Sequence, residues 1–160
     1  MYIEKYWGNY IGGTDDSLTL LDYLTDKRKS ELPLSEIFAD TGLNKQNWDF
    51  RSTVQWLQYT DQNGMEHDFY YAIDLVTDLA ALLLECAVNG KVSLGELLDN
   101  DNENTVRITF TEEEKSAIDK ALADFAQNPL EYDLHEMVPE EDMREMAQDC
   151  EELRRELWCN

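Results

Sequence analysis

The sequence is poor in positive charge. Only 13 of its 160 residues are Lys or Arg, against 35 that are Asp or Glu, and the formal net charge is −22. Nucleic acids and anionic membrane surfaces would repel such a chain, so both are excluded as partners. The charge instead favours a basic protein partner, whose association would be accelerated by electrostatic attraction. Solubility alone is the alternative explanation of the same acidity.

Cysteine and long apolar runs are also scarce. The three cysteines are Cys86, Cys150 and Cys159. Their odd number and the lack of a C-x-x-C motif argue against a disulfide framework and favour reduced thiols. The longest apolar run, "LAALLLECAV" at 79–88, is too short for a membrane span, which needs about 20 residues. Because the N-terminus lacks the basic and apolar regions of a signal peptide, we expect a cytoplasmic protein.

Signatures of phosphate binding and nucleophilic catalysis are missing. The segment "GGTDDS" at 12–17 has neither the lysine nor the spacing of a phosphate-binding loop, and its aspartates would repel a phosphate. It instead predicts a sharp turn into a helix that Thr14 or Asp15 caps. The two histidines, His67 and His135, occur without a nucleophile-elbow motif. We expect no enzyme and no cofactor; a small hydrolase that uses either histidine is a less favoured alternative.

One acidic segment has a partial likeness to a calcium loop. Residues Asp99–Asn104 place acids at alternate positions. The sixth position is Asn104 instead of Gly, and the twelfth is Phe110 instead of Glu, so both diagnostic positions fail. We therefore expect a solvated acidic loop and no bound metal.

Length and periodicity predict one α+β domain over residues 1–160, mainly helical with a small antiparallel sheet. Helices are expected near 15–29, 35–42, 74–89, 93–99, 111–128 and from Pro139 onward. The sheet would contain a hairpin near 52–73, which turns at Asn63-Gly64, and a strand near 105–110. Residues 1–11 could begin as a further strand. Leu18 and Phe110 are assigned to buried faces of their elements, and Ser93 to a helix cap.

The C-terminal helix carries one apolar seam. Its residues, here called the C-terminal seam, are Met143, Met146, Cys150, Leu153 and Leu157. Their 3-4-3-4 spacing covers about two heptads, which is too short for a coiled-coil assignment. Packing on the protein's own core is favoured. Docking of another protein, as in a non-enzymatic adaptor, is the alternative.

The stretch "YWGNYIGGTDDSLTLLDYL" at 6–24 resembles bacterial immunity proteins of contact-dependent growth inhibition and polymorphic-toxin systems. The residues that carry the resemblance are Trp7, Gly12-Gly13, Ser17 and the "LDYL" ending at Leu24. The resemblance implies a cytoplasmic inhibitor of the toxic C-terminal domain of a large exoprotein delivered by a neighbouring cell. Such toxins are often nucleases, including RNases, with basic clefts. No catalytic residue is carried over from the family.

The hypothesis is therefore an immunity protein that binds and neutralises a basic toxin domain, in a 1:1 complex, by stoichiometric inhibition. Exposed acids would face the basic cleft, and aromatic residues would supply fixed contacts. The candidate toxin-binding residues are Tyr6, Trp7, Tyr10, Asp15, Asp16, Glu66, Asp68, Asp99, Asp101 and Glu103. For Trp7 a place in the core is favoured over contact with the toxin.

Overall fold

The computed structural model describes residues 1–159 and confirms a mainly helical α+β fold. Its helices are α1 (Asp15–Lys27), α2 (Leu34–Thr41), α3 (Ala72–Asn89), α4 (Leu94–Leu98), α5 (Glu112–Gln127) and α6 (Glu140–Cys159). Its strands are β1 (Glu31–Pro33), β2 (Gln58–Thr60), β3 (Glu66–Asp68), β4 (Val92–Ser93) and β5 (Thr105–Thr109). None of the helices within residues 1–159 is long and apolar enough to cross a membrane.

Helix α3 is the centre of the core. Residues 72–85 are all buried, because α1, α5, α6 and the N-terminal turn pack around this helix. A helix that is apolar on all sides needs such a cover. Three acids nevertheless lie on its buried length, Asp74, Asp78 and Glu85. Buried acids require partners, and those partners organise the site described below.

The C-terminal seam packs inside the protein. All five seam residues are at most 3% exposed, and α6 lies against α5 and α3. This confirms the prediction of core packing. The seam therefore offers no surface for the adaptor role that was its alternative.

The strand pairing differs from the expected single antiparallel sheet. The hairpin β2–β3 is antiparallel but forms a sheet of its own. Strand β5 lies in a second sheet, where it pairs in parallel with β1 and antiparallel with β4. The strands β1 and β4 are only three and two residues long. Such short segments cannot show the alternation that identifies a strand.

The predicted N-terminal strand is wrong. Residues Tyr2–Lys5 form a 3₁₀ helix, and a turn follows up to Ile11. Ile3 is buried at the centre of this helix, and its backbone N–H donates to Glu85 Oε1 at 3.2 Å. Glu85 of α3 therefore supplies the hydrogen-bond acceptor for Ile3 that a neighbouring strand would supply if this segment were a strand.

Helix caps agree with the sequence more closely than buried faces do. Thr14 and Thr111 both form capping boxes, with Ser17 and Glu114. Ser93 precedes α4, but its side chain makes no capping hydrogen bond. Leu18 and Phe110, expected on buried faces, are 57% and 41% exposed. Their apolar spacing is correct, but Leu18 is left open to solvent and Phe110 is only partly covered, by Trp158 of α6.

Candidate functional site

The "GGTDDS" segment is fastened to the central helix. The N–H of Gly12 donates to Asp78 Oδ1 at 2.7 Å, and Ser17 Oγ donates to Asp78 Oδ2 at the same distance. Thr14 caps α1 through the amide of Ser17, as predicted. Both carboxylate oxygens of the buried Asp78 are therefore used by this turn. The segment is a structural anchor and not a cradle for a phosphate.

The two neighbouring aspartates of this segment have opposite environments. Asp15 is exposed, whereas Asp16 is 2% exposed. The carboxylate of Asp16 accepts the backbone N–H groups of Tyr70 and Tyr71, at 2.9 and 3.0 Å. Asp16 therefore has no free surface on which to contact a toxin, in contrast to its selection as a candidate.

The three N-terminal aromatic candidates face the protein itself. Tyr6 is buried, and its hydroxyl donates to Glu156. The hydroxyl of Tyr10 lies 2.9 Å from Asp142 and 2.8 Å from Glu145, which are both on α6. Trp7 is half-buried and packs on the core, as the favoured interpretation expected.

The other acidic candidates are exposed but do not lie together. They are Glu66 and Asp68 on β3, and Asp99, Asp101 and Glu103 in the loop after α4. The loop, here called the acidic loop, contacts the end of α1, since Asn102 Nδ2 donates to Thr25 Oγ1 at 3.3 Å. Tyr70 contacts the first turn of the same helix, about 13 Å away along the helix axis. Of these acidic candidates, Asp68 lines the same surface groove as Tyr70.

A surface groove of about 500 Å³ lies between the loop before β2, the segment after β3 and the short helical turn at Asp133–Glu136. Six of its lining residues carry the argument and define what is here called the Trp56 groove: Trp56, Asp68, Tyr70, Tyr71, Asp133 and Glu136. Trp56 is 70% exposed and Tyr70 is 65% exposed. Large aromatic side chains at this exposure are unusual on a protein surface and are favoured where a partner binds.

The charge of the Trp56 groove has one sign. Three carboxyl groups line it, and none of the described residues that line it is Lys or Arg. Four further clefts each include at least one Lys or Arg. The groove therefore combines exposed aromatic surface with uncompensated negative charge, which suits a basic partner.

The loop that carries Trp56 is held by a buried glutamine. Gln46 Nε2 donates to the carbonyl oxygens of Asp49 and Ser52, at 2.9 and 2.6 Å, and its Oε1 accepts the N–H of Val54 at 2.8 Å. Trp56 itself has φ +66°. This left-handed conformation is costly for a bulky residue, and such strain is concentrated at functional sites.

The opposite wall depends on Asp133 and Thr53. Thr53 Oγ1 donates to Asp133 Oδ2 at 2.7 Å and accepts the N–H of Ala72 at 3.0 Å. The N–H of Asp133 donates to the carbonyl of Arg51 at 2.8 Å. Burial raises the pKa of Asp133. The groove is therefore braced between the Trp56 loop and the start of α3.

Five of the six residues that define the groove were not selected from the sequence. Trp56 lies in "STVQWLQYT", the first arm of the predicted hairpin, and Tyr70 and Tyr71 lie in "DFYYAI" at the end of its second arm. Their aromatic density was a usable signal. The exposure of these side chains could not be predicted from the sequence, because it depends on the left-handed backbone at Trp56 and on how the following helix packs.

The histidines have separate local partners. His67 Nε2 and Asp61 Oδ2 form a hydrogen bond of 2.8 Å, and the ring of His67 stacks on Tyr59 with 4.7 Å between centroids. His135 Nδ1 bonds to the carbonyl of Val138 at 2.9 Å. Within residues 1–159, no three His, Cys, Asp or Glu side chains are grouped as metal ligands. These contacts give the histidines structural roles.

Three buried carboxyl groups, those of Asp16, Asp74 and Asp78, interact with one another in the core. Burial raises the pKa of Asp78 to about 7; the charge of Asp16 adds to this, while hydrogen bonds from Ser17 and Gly12 oppose it. Burial also raises the pKa of Asp74, and the charges of Asp78 and Asp16 raise it further. Near neutral pH, Asp74 and Asp78 therefore retain protons that the same groups have already lost in an unfolded chain.

Stability should therefore fall as the pH rises. Because the folded-state pKa of Asp78 lies above its unfolded value, its contribution is complete below pH 3.8 and is lost as the pH passes about 7. We expect the free energy of unfolding to drop by about 2–3 kcal/mol between pH 5 and pH 8 from this group. Urea unfolding across that range measures it. Asp78→Asn should flatten the slope, and an unchanged slope would contradict the assignment.

Comparison with known proteins gives one match. The family model described as Immunity protein 68 matches residues 2–157. No curated protein and no solved structure matches the chain.

Proposed function

Because this chain belongs to the Immunity protein 68 family, we propose that it neutralises a cognate toxin domain by binding it at the Trp56 groove. The observation that carries the proposal is the exposure of Trp56 and Tyr70 among three carboxyl groups, with no Lys or Arg among the described residues that line the groove. Exposed aromatic anchors that become buried on association contribute most of the binding energy at protein interfaces. The carboxyl groups add specificity for a basic partner.

The partner that best fits this groove is a basic nuclease domain, such as an RNase delivered by contact-dependent growth inhibition. Nuclease clefts attract phosphates with Lys and Arg side chains, and the carboxyl groups of the exposed residues Asp68 and Glu136 can take the place of those phosphates. The inhibitor acts in the cytoplasm in a 1:1 complex and needs no catalysis. Either direct coverage of the cleft or exclusion of the substrate from an adjacent face is compatible with this mode of action.

The remaining exposed acids have a different part in the proposal. Glu66 lies two residues before Asp68, and Asp15 precedes Asp16, which contacts the backbone of Tyr70 and Tyr71; in the proposal, Glu66 and Asp15 form the rim of the groove. The acidic loop contacts the far end of α1, so Asp99, Asp101 and Glu103 increase long-range attraction without direct contact. The total charge of −22 acts in the same direction.

Association with the toxin domain should depend strongly on salt. Raising the ionic strength from about 0.05 M to about 0.5 M is expected to slow association about tenfold or more and to change dissociation little, because salt screens steering between separated charges. We expect the cognate toxin to be the C-terminal domain of a large exoprotein encoded immediately upstream of this chain, and that domain is the probe. Stopped-flow or surface-based kinetics measure both rates.

A triple variant of the acidic loop provides the matched control. Asp99→Asn, Asp101→Asn and Glu103→Gln together should lower the association rate and its salt dependence while leaving dissociation unchanged. Association that is independent of salt would contradict a basic partner. Failure of the wild-type chain to bind this domain or to inhibit its activity would contradict the proposed function itself.

A further inference from the structure

We propose that Asp16 is a positioning residue for toxin binding, because it fixes the backbone of Tyr70 and Tyr71 from beneath the Trp56 groove. The inference rests on the proposed function of that groove. It concerns a residue that the partner does not touch, since Asp16 is 2% exposed and lies in the first turn of α1.

Three successive backbone amides of the groove are held by side chains from other parts of the chain. Asp16 accepts the N–H groups of Tyr70 and Tyr71, and Thr53 accepts that of Ala72. Tyr70 and Tyr71 lie between the end of β3 and the start of α3, and Ala72 is the first residue of α3, so neither the strand nor the helix supplies acceptors for these amides. Buried amides without an acceptor would carry a substantial cost. The two side chains therefore determine the path of this segment.

The exposed Tyr70 side chain needs this support more than a buried one would. At 65% exposure, little packing restrains it in the free protein, and its direction is set mainly by its backbone. A flexible wall would have to be ordered when the toxin binds, which reduces affinity. Asp16 orders this wall before binding and so removes the entropic cost of ordering it. We therefore expect a change at Asp16 to affect the lifetime of the complex.

The chain offers a matched control for a purely structural role. Asp78 is also a buried carboxylate and is also bonded to the N-terminal segment of α1, through Gly12 and Ser17. It makes no hydrogen bond to a residue that lines the groove within the part of the chain described. Changing either aspartate to asparagine keeps the shape and replaces one acceptor oxygen with a donor. Only the change at Asp16 places that donor against the amides of the groove.

The experiment compares Asp16→Asn with Asp78→Asn at neutral pH. Hydrogen exchange by NMR reports on the amides of Tyr70 and Tyr71, and kinetics with the upstream-encoded toxin domain report on binding. For Asp16→Asn we expect exchange of these amides to accelerate about tenfold or more and dissociation to be about tenfold faster, with association nearly unchanged. For Asp78→Asn we expect both quantities to stay within about twofold of wild type, once corrected for the folded fraction.

Equal dissociation rates for the two variants would overturn the inference. If Asp16→Asn does not fold, the free wild-type protein still tests it, because amides of Tyr70 and Tyr71 that exchange at the rate of an unstructured peptide would also overturn it. The groove is tested separately by Trp56→Ala. Full affinity of Trp56→Ala would overturn the proposed binding site, whereas lost affinity with no specific effect of Asp16→Asn would overturn the positioning role alone.

Discussion

Replacing Trp56 with alanine is expected to weaken toxin binding by about 100-fold, or about 2–3 kcal/mol, since central Trp residues are the most frequent energetic anchors of interfaces. The free energy of unfolding should change by less than about 1 kcal/mol, because the side chain is 70% exposed in the free protein. Calorimetric titration with the toxin domain measures the affinity. In growth assays, this variant should fail to protect cells at expression levels where wild type protects.

Phe110→Ala is the matched control for Trp56→Ala. Phe110 is also an exposed aromatic residue, but it packs against Trp158 and does not line the groove. Its replacement should leave toxin affinity within about twofold. If Trp56→Ala binds as tightly as Phe110→Ala, the toxin contacts another face of the protein.

The acidic-loop variant and Trp56→Ala separate long-range electrostatic attraction from direct contact with the toxin. Neutralising the acidic loop should act on the association rate, whereas removing Trp56 should act on dissociation, because interface contacts are formed after the encounter. In such a protein, the negative charge would increase the association rate, and the exposed aromatic surface would lengthen the lifetime of the complex. Sequence composition alone indicates the first property, since the charge of −22 does not depend on the fold.

The helices could be predicted because their signals are local. The capping box of Thr111 and Glu114 and the apolar spacing of α6 lie within a few residues of the structure that they specify. The parallel pairing of β1 with β5 joins Leu32 to Ile108, which are separated by nearly half of the chain. Strands of three residues carry no periodic signal, so their pairing is decided by packing and not by pattern.

The proposed binding site was harder to predict for a related reason. Asp15 and Asp16 are equivalent in composition, yet one is exposed and the other accepts two backbone amides. Residue type indicated acids and aromatic residues as the chemistry that would suit a basic partner. It could not assign them to the surface, because the burial of Asp16 depends on contact with a segment more than 50 residues away in the chain.

Gly12→Ala is expected to lower the free energy of unfolding by about 3 kcal/mol or more. A Cβ at this position would lie 2.1 Å from an atom of the Trp7 indole, and two more ring atoms would be within 2.6 Å. Gly12 cannot simply move away, since its N–H donates to the buried Asp78. Overpacking of this kind displaces side chains and backbone together. Chemical denaturation at pH 5, where Asp78 is protonated, measures the loss.

Gly64→Ala separates the clash from the cost of the backbone conformation. Gly64 has φ +83°, close to the +78° of Gly12, but a Cβ there would meet nothing within 4 Å. Its replacement should therefore cost only about 1–2 kcal/mol, the strain of a left-handed alanine. A larger loss for Gly12→Ala than for Gly64→Ala would place the extra cost in the contact with Trp7. Equal losses of unfolding free energy would mean that the Trp7 indole moves aside freely. Gly12 would then be required only for its backbone conformation in the turn.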